Sequence, residues 1–123
     1  MPKALLIDDS KFMRNWLRKI LEANEFEIVA EADNGIHGIV QYHDHQPDVV
    51  LMDVVMPKMN GVRTLEHLLK ADPAAKVIIC SSLAHNDLIK ECAKIGAYDF
   101  VHKPFFTELP MLLNKLTQEK EMV

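Results

Sequence analysis

The stretch VVLMD at residues 49–53 decides the fold class. Four apolar residues follow one another without a polar break and end at a carboxylate, Asp53. Such a run is typical of a strand in a parallel sheet, because helices cover both of its faces and neither face meets water. The runs ALLI at residues 4–7 and VIIC at residues 77–80 have the same character. The sequence therefore predicts three buried parallel strands.

Two further strands and five helices are predicted between and after these runs. Glu27–Ala32 alternates in polarity, which favours a strand near a sheet edge, and Tyr98–Val101 completes the set. Helical spacing of apolar residues begins after a cap at Asp9 or Ser10 and recurs at 36–43, 62–70, 87–95 and 108–120. Five strand–helix units in series imply an α/β fold, a doubly wound five-stranded parallel sheet with helices on both faces. The length of 123 residues favours a single domain over residues 1–123.

Composition excludes several classes of protein. The chain carries 14 basic and 18 acidic residues, a net charge of -4, so the basic surface that nucleic acid requires is not expected. No apolar run approaches the roughly 20 residues that cross a bilayer, and the N-terminus is too short in apolar residues for a signal peptide. We expect a cytoplasmic protein with no membrane or nucleic-acid partner.

Three carboxylates are expected to meet at one edge of the sheet. Asp8 and Asp9 follow the first strand and Asp53 ends the third, and ligands of such sheets bind at the carboxyl ends of the strands. Like charges at close range need a compensating cation or proton. A set of oxygen ligands favours Mg²⁺ or Mn²⁺ over zinc. A simpler interpretation stays open for the acidic pair, which could merely cap the first helix.

A hydroxyl and an ammonium group are expected at the same edge. Ser81 follows the fourth apolar run and Lys103 follows the fifth strand. Each signal is weak alone, since such residues often lie in turns or in solvent. Together with the three carboxylates they suit phosphoryl transfer, in which a carboxylate attacks and a metal and two donors hold the phosphoryl oxygens.

These residues resemble those of the CheY-like receiver family of response regulators, which has a flavodoxin-like fold. The resemblance rests on the following motifs: DD at 8–9, DVVMPKMNG at 53–61, SS at 81–82, GA at 96–97 and KPF at 103–105. It covers the chain from Lys3 to about Leu116. Two segments, DSKFMR at 9–14 and DPAAK at 72–76, are similar to those of stand-alone chemotaxis regulators.

The resemblance implies roles for the residues of the acidic edge. Asp53 is expected to accept the phosphoryl group. Asp9, Asp53 and the backbone carbonyl of Val55 are expected to bind Mg²⁺, with Asp8 acting mainly through water. Ser81 is expected to contact the phosphoryl group through its hydroxyl.

The resemblance implies roles for the fifth strand and its surroundings as well. Lys103 is expected to pair with a phosphoryl oxygen, and its bond to Pro104 is expected to be cis. Phe100 corresponds to the family's rotating aromatic residue, although packing in the core is an equal alternative for a strand aromatic. The switch couples movement of Ser81 to a change at the face formed by the fourth helix, fifth strand and fifth helix.

The implied function is a phosphorylation-activated switch of a two-component system, with a lean to chemotaxis. Its implied partners are a histidine kinase, a downstream protein target for which the flagellar motor switch is a candidate, and a phosphatase; the chain is expected to be a monomer. It is not expected to be an enzyme beyond catalysing its own phosphorylation and dephosphorylation. One alternative is a receiver cut from a larger regulator. Another is a metal-dependent phosphohydrolase, which would need a general acid where Val55 stands.

Further expectations concern apolar residues. Val55 and Leu83 stand two residues beyond Asp53 and Ser81, where polar side chains are frequent in the family. Because apolar side chains cannot orient an attacking water, slow self-dephosphorylation is predicted. Trp16 and three methionines are predicted to pack in the core; the methionines are Met52, Met56 and Met111.

Overall fold

Strand and helix alternate along the whole chain. The computed structural model describes residues 1–82, 85–104 and 106–121. The strands are β1 (Lys3–Ile7), β2 (Glu27–Ala32), β3 (Val49–Asp53), β4 (Val77–Ser81) and β5 (Asp99–His102). The helices are α1 (Lys11–Ala23), α2 (Gly35–His45), α3 (Gly61–Ala71), α4 (Asn86–Ile95) and α5 (Leu109–Glu121). Leu83 and Phe105, named in the sequence analysis, lie outside the described residues.

The five strands form one parallel sheet in the order β2-β1-β3-β4-β5. This topology confirms the predicted doubly wound fold, and it places the alternating strand β2 at an edge. Strands β1 and β3 pair at the centre, where Ile7 lies beside Met52. The strand order reverses between them, so their carboxyl ends open on the crevice where doubly wound folds bind ligands.

The central strands are buried on both faces because successive side chains point to opposite sides of a sheet. Leu5 and Ile7 pack into the cluster beneath α2, α3 and α4, whereas Ala4 and Leu6 pack into the cluster beneath α1 and α5. All four side chains have no solvent exposure. Continuous apolar runs were therefore a correct indicator of strands covered by helices on both sides.

Several apolar residues that were predicted to be buried are exposed, and those predictions were wrong. Trp16 is 38% exposed, and it stacks edge-on against Phe12 on the outer side of α1. Met111 on α5 is also exposed, whereas Met52 and Met56 are buried as predicted. A helix buries only the arc that faces the sheet, and α1 carries apolar residues over a wider arc than that.

Other local features follow from residue chemistry. The Ser10 hydroxyl accepts a hydrogen bond from the backbone N–H of Met13 and caps α1, so Ser10 rather than Asp9 is the cap of the two that were predicted. Strand β5 begins one residue later than predicted, because Asp99 rather than Tyr98 pairs first, opposite Ile78. Within the described part of the chain, no helix combines the length and apolarity needed to span a membrane.

Candidate functional site

The central strands bring three carboxylates together at their carboxyl ends. Asp8 and Asp9 directly follow β1, and Asp53 is the last residue of the neighbouring strand β3. One oxygen atom from each of the three side chains lies within 4.8 Å of the others. Asp8 is buried, the Asp53 side chain is 12% exposed, and Asp9 is exposed. Among these three side chains, Asp9 is therefore the one most open to solvent.

Lys103 bridges two of these carboxylates. Its Nζ donates hydrogen bonds to Asp8 Oδ2 at 2.9 Å and to Asp53 Oδ2 at 3.1 Å. The Lys103 side chain is 17% exposed, so both ion pairs are largely shielded from water. With three ionised carboxylates and one ammonium, the four side chains together carry a charge of -2. The site therefore keeps a strong attraction for a further cation.

Burial and charge act in opposite directions on the two central groups. Burial raises the pKa of the Asp53 carboxyl, and the Lys103 ammonium offsets that rise only in part. For Lys103, burial acts to lower the pKa, but the hydrogen bonds and charges of Asp8 and Asp53 outweigh it and raise the pKa. The ammonium consequently stays charged at neutral pH. When Asp53 is ionised, the Lys103 ammonium compensates only part of the cost of burying its negative charge.

The loop after β3 holds Asp53 against the start of α3. The backbone N–H of Val55 donates to Asp53 Oδ1 at 3.2 Å, so both Asp53 oxygens have protein donors. The Gly61 N–H donates to the carbonyl of Val54 at 2.7 Å. A side chain at Gly61 would place its Cβ 2.6 Å from the Asp53 carbonyl oxygen, so only glycine permits this close approach. The MNG segment at residues 59–61 thus has a packing function.

Ser81 ends β4 at the same sheet edge and is buried. Its hydroxyl donates to the carbonyl of Ser82 at 3.3 Å, a long and weak bond. The Ser81 carbonyl accepts from the backbone N–H of Lys103 at 2.8 Å. That bond ties the ends of β4 and β5 together beside the carboxylates. Strand pairing also places Cys80 opposite Asp53, which brings Ser81 one residue beyond the acidic edge.

Phe100 and Pro104 lie on either side of the Lys103 region. Phe100 is 39% exposed on β5 and stacks edge-on against His102 at a centroid distance of 5.3 Å. Of the two expectations for Phe100, burial in the core does not hold. The Lys103–Pro104 peptide bond is cis.

The donor set of the acidic cluster fits a hard divalent cation. All of its side-chain ligands are carboxylate oxygens, which Mg²⁺ and Mn²⁺ prefer. Among the described residues, none forms a hydrogen bond or ion pair with the Asp9 carboxylate. Asp8 differs, because its Oδ1 accepts from the Ser10 N–H at 2.8 Å and its Oδ2 from Lys103. Asp9 is thus free to bind a metal directly, whereas Asp8 is already engaged.

One contact of the cluster, that of Arg14 with Asp8, was not predicted from the sequence. Arg14 Nη1 donates to the backbone carbonyl of Asp8, and Arg14 Nε donates to Glu31 Oε1 at 2.8 Å. Arg14 lies four residues after the helix cap Ser10, and helical side chains lean toward the N-terminus. That spacing indicates that Arg14 can reach back toward the start of α1. The rotation of α1 against β2 was not available from the sequence.

Comparisons with known proteins agree on one family. A profile of the response regulator receiver domain matches residues 4–116. The chemotaxis protein CheY of Listeria monocytogenes is 41% identical over 105 residues, which cover 85% of this chain and 88% of that protein. The response regulator domain of Thermotoga maritima CheB superposes with a TM-score of 0.84 at 31% identity, covering 96% of this chain and 95% of that one. A chain of the CheX-CheY-BeF3-Mg²⁺ complex from Borrelia burgdorferi gives a TM-score of 0.82 at 30% identity, covering 95% of this chain and 87% of that one.

Proposed function

Because this chain belongs to the response regulator receiver family, we propose that it is a phosphorylation-activated switch of a two-component system, with Asp53 as the phosphoacceptor. The observation that carries the proposal is the position of the Asp53 carboxylate. It lies in one cluster with Asp8 and Asp9 and accepts a hydrogen bond from Lys103. The relatives named as chemotaxis proteins support a role in chemotaxis. The comparisons favour neither a phosphohydrolase nor a receiver cut from a larger regulator.

The proposed reaction transfers a phosphoryl group from a phosphohistidine of a kinase. An oxygen of ionised Asp53 attacks the phosphorus atom, a P–O bond forms, and the P–N bond breaks as the imidazole takes the electron pair and a proton. Lys103 then exchanges its bond to Asp53 for one to a phosphoryl oxygen. The Ser81 hydroxyl binds another. The product is an acyl phosphate on Asp53.

Receiver domains generally bind Mg²⁺ at their acidic pocket, and the acidic cluster here is its proposed site. Asp9, Asp53 and the Val55 backbone carbonyl would hold the ion. Asp8 would act through water, because both of its carboxylate oxygens already have protein donors. When bound, the ion supplies positive charge against the carboxylates and the phosphoryl oxygens.

The proposed switch runs from Ser81 to the face formed by α4, β5 and α5. The hydrogen bond from the Ser81 hydroxyl to the Ser82 carbonyl is 3.3 Å long and therefore weak. Breaking it costs little free energy when the hydroxyl turns toward a phosphoryl group. A cavity of about 210 Å³ lies between α4 and β5, and Ile79, Ile89 and Phe100 are among the residues that line it. Inward rotation of the exposed Phe100 ring would fill this space. Phosphorylation would thereby favour a second conformation of the face formed by α4, β5 and α5.

The remaining parts of the proposal concern scope and partners. Receiver domains are regarded as switches rather than enzymes, and we propose that this one catalyses only its own phosphorylation and dephosphorylation. Residues 1–123 form one receiver domain. Its partners are a histidine kinase, a downstream protein target, for which the flagellar motor switch is a candidate, and a phosphatase.

The direct test is chemical labelling. The protein is incubated with acetyl phosphate in Mg²⁺ and, in parallel, with a chelator, and intact mass is followed over time. We expect one added phosphoryl group in Mg²⁺ only, stable to acid and labile to base, on the peptide that contains Asp53. A label that is base-stable or independent of metal would contradict the proposal.

Metal binding should stabilise the native state. A ligand that binds only the folded protein adds about 1.4 kcal/mol at ten times its Kd, and that gain raises the thermal midpoint. We expect the midpoint to rise with Mg²⁺ concentration in wild type and in Asp44→Asn, which removes an exposed carboxylate on α2. Asp9→Asn should lose the rise. Equal responses in Asp9→Asn and wild type would remove Asp9 from the site.

Slow self-dephosphorylation remains a prediction for the phosphorylated protein. Val55 is 48% exposed beside Asp53, and an apolar side chain there cannot orient an attacking water. Val55→Asn should speed hydrolysis about tenfold, which corresponds to about 1.4 kcal/mol of barrier. The matched control is Val40→Asn, at a valine 50% exposed on α2. The decay is timed after removal of the phosphodonor, and equal rates in wild type and Val55→Asn would contradict the prediction.

A further inference from the structure

The two peptide groups on either side of Asp8 are both held by hydrogen bonds. The N–H of Asp8 donates to the Ala32 carbonyl at the end of β2, at 3.0 Å. The Asp8 carbonyl accepts from Nη1 of Arg14 on α1. This carbonyl belongs to the peptide plane that leads into Asp9, so the contact restricts the rotation that places the Asp9 side chain. Among the described residues no other contact holds the Asp9 carboxylate.

Arg14 can act as a rigid arm because its other side is anchored. Its Nε donates to Glu31 Oε1 at 2.8 Å, and its side chain is only 15% exposed. Partial burial acts to raise the pKa of Glu31, yet hydrogen bonds from Arg18 and Arg14 hold that pKa below its usual range. Glu31 is therefore an ionised anchor on β2. The guanidinium is planar, so its Nε and Nη1 donors have fixed directions. They bond to Glu31 and to the Asp8 carbonyl at the same time.

We propose that Arg14, anchored by Glu31, is a positioning residue that sets the place of Asp9 for binding the divalent cation. The proposal deepens the proposed function and rests on it, since it concerns the same metal site. Arg14 touches neither the reacting atoms nor a ligand atom of the metal. It acts through the backbone, as groups that orient metal ligands do.

The charge of Arg14 and its role in positioning predict opposite changes in Mg²⁺ affinity when Arg14 is replaced. As a positive charge near the cluster, Arg14 repels a cation, so its removal would tighten Mg²⁺ binding. As the support of the Asp8–Asp9 peptide, it favours the binding geometry, so its removal would weaken Mg²⁺ binding. The sign of the change in affinity therefore separates the two roles.

The variants follow from the contacts. Arg14→Gln removes the charge and both bonds, and Arg14→Lys keeps the charge but cannot reach Glu31 and the Asp8 carbonyl together. Arg18→Gln is the matched control, because Arg18 also bonds to Glu31 and has no recorded contact with Asp8. Mg²⁺ affinity is measured by calorimetry on the whole chain, beside thermal unfolding in chelator. The second readout is hydrogen exchange of the Ser10 amide, which donates to Asp8, compared with the Gly61 amide.

We expect both Arg14 variants to bind Mg²⁺ about tenfold more weakly than wild type, as is typical when a group that orients a metal ligand is lost. Arg18→Gln should stay within about twofold. Exchange at Ser10 should accelerate in the Arg14 variants while Gly61 keeps its wild-type rate. Wild-type or tighter affinity in Arg14→Gln or Arg14→Lys would overturn the inference, and Arg14→Lys carries the test if Arg14→Gln does not fold. Wild-type protein that binds no Mg²⁺ would instead contradict the proposed function.

Discussion

Asp53→Asn is expected to lower phosphorylation by acetyl phosphate at least about a hundredfold, to background. An amide is not a nucleophile toward phosphorus, and Asp53 is the proposed phosphoacceptor, which lies in the acidic cluster and accepts a hydrogen bond from Lys103. Labelling is followed by intact mass in saturating Mg²⁺. The control is Asp44→Asn, which removes an exposed carboxylate on α2 and should label at the wild-type rate. Full labelling of Asp53→Asn would refute the assignment.

Loss of labelling in Asp53→Asn should not reflect unfolding. Burial raises the pKa of Asp53 in the folded state. The folded state thus holds that proton more tightly than the unfolded state, so the stability from this group is lost as pH rises through the folded pKa. At neutral pH the ionised side chain destabilises the fold, and the neutral amide removes that effect. Asp53→Asn should unfold at a temperature equal to or above that of wild type in metal-free buffer.

Lys103→Met is expected to destabilise the protein by about 3 kcal/mol in metal-free buffer, roughly 10 °C in thermal midpoint. The substitution leaves buried Asp8 and largely buried Asp53 without their cation. The carboxylates raise the pKa of Lys103, so its stabilising effect is fully present at neutral pH and is lost as pH rises through that raised pKa. Mg²⁺ should restore part of the loss, because it supplies the missing positive charge.

A double-mutant cycle isolates the ion pair from the packing of the side chain. Asp8→Asn combined with Lys103→Met should cost less than the sum of the two single changes, since no unpaired Asp8 charge remains. Lys11→Met, at an exposed lysine of α1, is the control and should stay within about 0.5 kcal/mol of wild type. Strict additivity, together with wild-type stability of Lys103→Met in chelator, would contradict the role of Lys103 as counter-ion.

The sequence was most informative where one physical requirement dominates. The runs at 4–7, 49–52 and 77–80 lie in three central strands, because only strands covered on both faces tolerate such runs. The convergence of Asp8, Asp53 and Lys103 followed from topology, since parallel strands end at one edge. Their roles in phosphoryl transfer remain proposals.

Features set by how elements rotate against one another were not predictable. Phe12 and Trp16 match the apolar spacing of α1 as well as Leu17 does, yet only Leu17 of these three is buried. The periodicity of a helix gives the width of its apolar arc, and the sheet decides which part is covered. Arg14 escaped notice for the same reason, because its contact with Asp8 depends on where α1 lies over β2.

The contact between Lys103 and Asp8 joins residues 95 positions apart in the chain, and that between Lys103 and Asp53 joins residues 50 apart. Contacts of such sequence separation close large loops, and they form only when the chain between them is ordered. A nascent chain that has not yet added β5 to β4 has the aspartates but lacks the lysine that compensates them. We therefore expect the ability to receive a signal to arise at the end of folding.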